Sequence, residues 1–130
     1  MTALTASRQT AKKMGNLLYL TMAAGAQGFL GGMAQINAAG AGVAASATAA
    51  NKTVGVFTAD AAAGEGVNVE KGTFAFGNST STDEITKADI GANCYVVDDQ
   101  TVAKTSNSNA RPVAGVIFDV DDYGVWVKFS

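Results

Sequence analysis

Val113-Ala-Gly-Val-Ile-Phe-Asp-Val120 and Val125-Trp-Val-Lys-Phe129, joined by Asp121-Asp-Tyr-Gly124, form the stretch of sequence that decides the fold. Large apolar residues alternate with other residues in both segments, and a period of two is typical of half-buried strands. Gly124 supplies a residue that tolerates a positive φ in the short polar connection. The stretch therefore predicts a β-hairpin. In its last strand Val125, Val127 and Phe129 share the core face, and Trp126 lies on the opposite face.

The same period of two extends from this hairpin back to Thr53. Strands are predicted over Cys94–Val97 and Thr101–Thr105, and the pairs Val67/Val69 and Phe74/Phe76 mark two more. Their inward phase changes near Gly72, which predicts a bulge or tight turn there. Residues 81–88 are predicted to form one short helical turn. About six or seven short strands with Gly, Asp and Asn turns are typical of a small barrel or sandwich.

The distribution of charge divides the chain into two parts. The first 59 residues contain four cations and no acidic residue, whereas the remaining 71 carry all 11 acids and five bases. The stretch from Met14 to Asn51 is uncharged and rich in Ala and Gly, which supply few side chains large enough for a core. The sequence therefore predicts a mainly β protein: a small β-barrel or β-sandwich-like body over residues 53–130, preceded by a long extended or partly helical N-terminal arm over residues 1–52.

Two other interpretations of the N-terminal segment compete with an arm. Lys12 and Lys13, followed by residues 17–26 and the small residues Ala24-Gly-Ala26, resemble the zones of a secretory signal peptide, although Thr21 and Gly25 make its apolar part thin. A membrane span needs about 20 predominantly apolar residues. Residues 17–36 contain two glutamines and four glycines, so no membrane anchor is predicted.

Residue composition and motifs argue against an enzyme. The chain has no histidine and one cysteine, Cys94, which lies in an apolar strand pattern and is predicted to be a buried thiol. Gly40-Ala-Gly-Val-Ala-Ala45 matches a loose dinucleotide-binding pattern but lacks a predicted strand before it. Residues 119–124 suggest a calcium loop, but Tyr123 stands at the fifth position and Ser130 at the twelfth. We therefore expect no catalytic residue, no cofactor and no metal.

An ordered string of residues in the C-terminal part resembles one family. It comprises Ile85-Thr-Lys-Ala-Asp-Ile-Gly91, Cys94-Tyr-Val-Val-Asp-Asp-Gln-Thr-Val-Ala-Lys-Thr105, Arg111, Ala114-Gly115, Asp119-Val-Asp121 and Gly124-Val-Trp-Val127. This string is similar to that of the head decoration, or cement, proteins of tailed bacteriophages and prophages. The resemblance covers roughly residues 53–129. It implies a β-barrel-like body, often trimeric, that binds the outer surface of the capsid and stabilises the shell, without enzymatic activity.

These observations predict a structural virion protein whose partners are the major capsid protein and further copies of itself, as a homotrimer. We expect no nucleic-acid partner, because the net charge is −2 and the C-terminal part is acidic, and no membrane partner. The alternative is a secreted or surface-attached β module. The predicted capsid or subunit contacts are Arg8, Lys12, Lys13, Leu17, Leu18, Tyr19, Leu20, Phe29, Leu30, Ile36 and Trp126.

Overall fold

The protein is mainly β, with 43% of its residues in strands and 5% in helical turns. The computed structural model describes residues 2–130. One antiparallel sheet contains five strands: β1 Leu17–Thr21, β2 Met33–Ile36, β3 Gly42–Ala44, β4 Lys52–Phe57 and β5 Gly66–Glu70. A second contains another five: β6 Gly72–Phe76, β7 Asn93–Asp98, β8 Thr101–Ala103, β9 Val113–Asp121 and β10 Gly124–Phe129. We refer to residues 17–70 as the first unit and to residues 72–129 as the second unit.

The C-terminal hairpin forms as predicted. Strands β9 and β10 pair in antiparallel register, and Gly124 has a φ of 120° at the turn. Val125 and Val127 are completely buried and Phe129 is 5% exposed, whereas Trp126 on the other face is half-buried. The alternation of apolar and other residues along β10 thus places every second side chain in the core of the second unit.

The other local predictions for the second unit are largely confirmed. Strands β7 and β8 lie where the two short strands were predicted, and Gly72 has a φ of 154° at the point where β5 gives way to β6. The predicted helical turn is two separate 3-10 turns, Ser81–Asp83 and Lys87–Asp89. The second has a capping box formed by Thr86 and Asp89, because the backbone N–H groups at its start need acceptors.

The N-terminal arm predicted over residues 1–52 is not confirmed. Strands β1, β2 and β3 all lie in that range, β1 pairs with β5 and β2 pairs with β4. Leu20, Met33 and Ala34 are buried. The predicted division at residues 52 and 53 coincides with the start of β4, within the first sheet. Small side chains do not prevent strand pairing, because the sheet is held by backbone hydrogen bonds. The larger groups of its core are Leu20 and Met22 from the predicted arm and Phe57, Val67 and Val69 from beyond it.

The two sheets are open rather than closed barrels. In each, the edge strands meet only through an isolated bridge, between Met22 and Gly42 in the first unit and between Gly77 and Thr101 in the second. The prediction of a β-barrel or sandwich is therefore met at the coarser level of a β protein with two antiparallel sheets.

The two units have the same topology. The strand order is β1-β5-β4-β2-β3 in the first sheet and β6-β10-β9-β7-β8 in the second, so the five strands of each unit occur in the same relative order. The register agrees as well: Met33 pairs with Val56 as Asn93 pairs with Val116. The register shift falls at Ala34/Gln35 in β2 and at Cys94/Tyr95 in β7, sixty positions later.

Hydrogen bonds outside the strands repeat in the same way. The N–H of Gly31 donates to the carbonyl of Phe57 at 3.0 Å, and the N–H of Phe57 donates to Gly32 at 2.9 Å. In the second unit the N–H of Gly91 donates to Ile117 at 2.9 Å, and the N–H of Ile117 donates to Ala92 at 2.9 Å. Agreement of order, register, bulge and loop hydrogen bonds shows that the fold is a tandem structural repeat.

The units pack against each other through unequal surfaces. Met33, Ala45 and Val56 of the first unit belong to the buried cluster that contains the second unit's core. The N–H of Met33 donates to the carbonyl of Asp99, in the turn between β7 and β8, at 2.8 Å. A separate cluster, which includes Phe57, fills the first unit. The second unit therefore covers the outer face of β2 and β4, which is the face that carries Met33 and Val56.

Candidate interaction surfaces

The N-terminal segment before β1 is the largest exposed feature. Residues 2–16 are exposed throughout, and Leu4 and Met14 are 70% and 95% exposed. In the described part of the chain none of the three ion pairs involves Arg8, Lys12 or Lys13. The segment is tied to the sheets where the N–H of Lys71 donates to the carbonyl of Asn16 at 2.8 Å. Its three cations and two apolar side chains are thus available for contact with another surface.

The seven apolar residues predicted as contacts fall into two groups. Leu20 is 7% exposed in the core, and Leu18 and Ile36 pack against the same cluster, so these three stabilise the first unit. The other four are exposed: Leu17 by 49%, Tyr19 by 68%, Phe29 by 53% and Leu30 by 68%. Only this second group can meet a partner without unfolding of the first unit.

Phe29 and Leu30 project from a turn that the fold holds in place. The N–H of Leu30 donates to the Asp60 carboxylate at 2.9 Å, and Gly28 lies directly over the ring of Phe57, with no space for a Cβ. The turn is therefore anchored to the core on one side while its two large side chains face solvent.

Trp126 makes its polar contact within its own hairpin. Its indole N–H donates to the Asp121 carboxylate at 2.9 Å, and its ring meets that of Tyr123 edge to face, with centroids 6.0 Å apart. Tyr123 is 81% exposed. Trp126 thus supports an aromatic hairpin tip, and the larger accessible surface there belongs to Tyr123.

A cleft that the sequence did not predict lies between the two units. Its volume is about 680 Å³, and its lining includes three cations, Lys52, Arg111 and Lys128, but no Asp or Glu side chain. Arg111 is held by the Asp83 carboxylate at 3.2 Å and by the carbonyl of Thr105 at 3.2 Å. Arg111 and Lys128 come from the second unit and Lys52 from the first, so the packing of the two units places Lys52 in the same cleft as the other two cations.

Three carboxylates of the second unit have lowered pKa values. Hydrogen bonds from the Thr105 hydroxyl and from Arg111 lower the pKa of Asp83 below 3.8. The backbone N–H of Thr86, with Lys104, lowers the pKa of Asp89. The backbone N–H of Val120, with Lys87, lowers the pKa of Asp119. Each pair fixes a loop or turn, so these carboxylates have structural roles in the second unit.

The motifs considered for chemistry have structural explanations. Gly40 lies in a turn with a φ of 81°, and the pattern that begins there continues into β3, where a dinucleotide site needs a helix. Residues 119–124 span the end of β9, the turn and the first residue of β10, and the N–H of Tyr123 donates to the Asp121 carboxylate at 2.9 Å. Across residues 2–130 no cluster of metal-ligating side chains was found. Burial raises the pKa of the Cys94 thiol to about 11, so it is a poor nucleophile.

The signal-peptide alternative conflicts with the position of β1. Cleavage after Ala26 would remove the whole of β1 together with the buried residues Leu20 and Met22. The remaining first sheet would lose its edge strand and part of its core. Among the helical turns described for residues 2–130, none is long and apolar enough to cross a membrane.

Comparison with known proteins found no match to a family model, to a curated protein or to a solved structure.

Proposed function

We propose that this chain is a structural decoration (cement) protein that binds the outer surface of a tailed-bacteriophage head and stabilises the shell, acting as a homotrimer. Two features support the proposal: the string of residues between Ile85 and Val127 that resembles such proteins, and the exposed N-terminal segment. The segment is the observation that carries it, because fifteen exposed residues with three cations and no acid are attached to an otherwise well-packed protein.

The attachment element is shorter than the arm predicted from sequence. Residues 17–51 contribute strands to the first sheet, so residues 2–16 are the part free to bind a neighbouring surface. Leu4 and Met14 would supply apolar contacts, and Arg8, Lys12 and Lys13 would meet acidic groups of the major capsid protein. Ordering such a segment costs about 1 to 2 kcal/mol per residue, so a single copy would bind only moderately. Several linked copies would bind more firmly through avidity.

The segment has a suitable geometry for binding by strand addition. It leads directly into β1, an edge strand whose hydrogen-bonded partner is β5. An extended peptide can add to the sheet edge of a partner through its backbone, and alternate side chains then fill pockets. Exposed Leu17 on β1 would extend the contact into the first unit.

Co-sedimentation with heads tests the proposal. Purified protein is mixed with heads assembled from the major capsid protein of the same phage or prophage, and bound protein is measured after centrifugation. We expect saturable binding that is lost when residues 2–16 are deleted. Failure of the full-length protein to sediment with the heads would contradict the proposal.

Two matched charge-reversal variants distinguish binding by the N-terminal segment from an effect of the protein's net charge. Lys12→Glu with Lys13→Glu reverses two charges within the segment, and Lys52→Glu with Lys87→Glu reverses two exposed charges elsewhere. We expect the first double variant to bind heads at least about tenfold more weakly, which corresponds to about 1.4 kcal/mol. The second should bind like the unaltered protein. Equal weakening by both would show that net charge, rather than the segment, governs attachment.

A further inference from the structure

Within one chain, a face of the first unit packs against a surface of the second unit. Each of these two surfaces has an equivalent on the other unit that is not covered in this way. Within the chain, the outer face of β2 and β4 is seated on the second unit, where Met33 and Val56 are 0% and 5% exposed. The receiving surface includes the turn between β7 and β8, because the carbonyl of Asp99 accepts from the N–H of Met33. Each unit could present both surfaces, since the two share one topology.

The face of β2 and β4 that packs against the second unit has an equivalent on the second unit that is more exposed. By register, Asn93 and Val116 correspond to Met33 and Val56, and Val113 corresponds to Thr53. Asn93 is exposed, and Val113 and Val116 are 44% and 38% exposed. All three line the 680 Å³ cleft. We call Asn93, Tyr95, Val113 and Val116 the second-unit face.

The surface of the second unit against which this face packs, which includes the β7–β8 turn, has an exposed equivalent on the first unit. The turn between β2 and β3, residues 37–41, corresponds to the turn that contains Asp99, because Ile36 pairs with Gly42 as Val96 pairs with Val102. In the first unit this turn borders an open pocket of about 410 Å³, lined by residues 39–41 of the turn and by residues 19–22 of and after β1. Tyr19 is 68% exposed. We call Tyr19 and residues 37–41 the first-unit end.

We propose that the second-unit face binds the first-unit end of a second copy of this chain, in a head-to-tail contact that repeats the packing of the two units within one chain. The occupant is a second copy because every chain carries both surfaces and because the intramolecular contact joins the topologically equivalent pair. Lys128 is exposed beside the face, so its ammonium group can remain in water while the apolar groups pack. A head-to-tail contact that is repeated by every copy gives either a closed ring or an open filament.

This contact deepens the self-association part of the proposed function and rests on it. Its test uses purified protein without heads, so failure here is distinguishable from failure to bind capsids. Sedimentation velocity would be measured over a range of concentrations, with the monomer mass of 13.1 kDa as reference. We expect the unaltered protein to form assemblies larger than a dimer. A protein that remains monomeric up to about 1 mM would overturn the proposal.

Two blocked variants give the decisive comparison. Val116→Arg blocks the second-unit face, and Ala39→Arg blocks the first-unit end at an exposed position. Each variant alone should self-associate at least about tenfold more weakly. An equimolar mixture should form a dimer and nothing larger, because each partner retains one intact surface. A mixture that stays monomeric, or a single variant that associates as well as the unaltered protein, would overturn the head-to-tail arrangement.

Folding of the variants is checked by thermal unfolding, which should match that of the unaltered protein because both positions are exposed. If either variant fails to fold, Val113→Arg and Ala38→Arg replace them on the same two surfaces. The same outcomes then decide the proposal.

Discussion

At the scale of single residues, both units of the repeat have a glycine at a corresponding strand position where a Cβ would not fit. A Cβ on Gly55 would lie 2.5 Å from the carbonyl oxygen of Glu70, and a Cβ on Gly115 would lie 2.5 Å from that of Lys128. The two glycines occupy corresponding places in β4 and β9, opposite β5 and β10. Both units thus depend on the same close approach of neighbouring backbones.

The substitution Gly115→Ala should lower the free energy of unfolding by about 1 to 3 kcal/mol, because the added methyl group forces the backbones of β9 and β10 apart. Urea denaturation monitored by Trp126 fluorescence measures the change. Val116→Thr, at the next and exposed position, is the matched control and should change stability by less than about 0.5 kcal/mol. Equal effects of the two substitutions would show that the close approach is unimportant.

The thiol of Cys94 should be protected by folding. Burial raises its pKa from 9.0 to about 11, so the thiolate fraction at pH 8 falls by about a hundredfold. Alkylation by iodoacetamide should therefore be at least that much slower in the folded protein than in urea. The unfolded state loses this proton first, so the thiol's contribution to stability is present below pH 9 and is lost as the pH rises toward 11. Similar alkylation rates in both states would contradict the buried position.

Asp83 should contribute stability that disappears in acid. Its pKa is lowered in the folded state, so its contribution is present above the ordinary value of 3.8 and is lost as the pH falls below it. Asp83→Asn should lower the urea midpoint at pH 7, and the difference from the unaltered protein should shrink at pH 3. Asp122→Asn, at the exposed β9–β10 turn, should leave the midpoint at pH 7 unchanged. A difference for Asp83→Asn that is equal at both pH values would argue against the ion pair with Arg111.

At the scale of strands, local patterns predicted the second unit well and the first unit poorly. The β9–β10 hairpin is encoded by alternation, a polar turn and Gly124, all within seventeen residues. Strands β1 to β3 have three to five residues each, and β2 and β3 contain Ala and Gly, so their pairing is recognisable only through partners such as Val67 and Phe57 that lie far along the chain. Tertiary packing thus overrides the weak strand propensity of Ala and Gly.

Truncations distinguish the exposed segment from the first sheet. Deletion of residues 2–16 should leave the melting temperature nearly unchanged, because these residues are exposed throughout. Deletion of residues 2–26 also removes β1, Leu20 and Met22, and should destabilise the first unit severely. Thermal unfolding followed by circular dichroism measures both. Equal stability of the two truncated proteins would favour the N-terminal arm predicted from the sequence.

At the scale of the whole molecule, the repeat was detectable in the sequence at only a few positions. Gly66-Val-Asn-Val69 matches Gly124-Val-Trp-Val127, and Leu30-Gly-Gly32 resembles Ile90-Gly-Ala92. Elsewhere the units diverge, because the outer face of the first is buried between units and that of the second is exposed. Gln35, which is completely buried, corresponds to the half-buried Tyr95. The cleft and its cations could not be predicted, since they depend on how the units pack.

Charge is also organised at this scale. The segment of residues 2–16 carries three bases and no acid, whereas the second unit carries eight acids and four bases. Under the proposed function, the basic segment would bind the shell and the acidic second unit would face solvent. On this account the first unit, with one base and three acids, lies between attachment and solvent.

The most direct test of the central claim is a cryo-electron microscopy difference map between heads with and without this protein. The account predicts extra density on the outer surface of the shell that accommodates two five-stranded sheets per copy, with residues 2–16 reaching the capsid protein. A map without extra density, or with density on the inner surface of the shell, would contradict it.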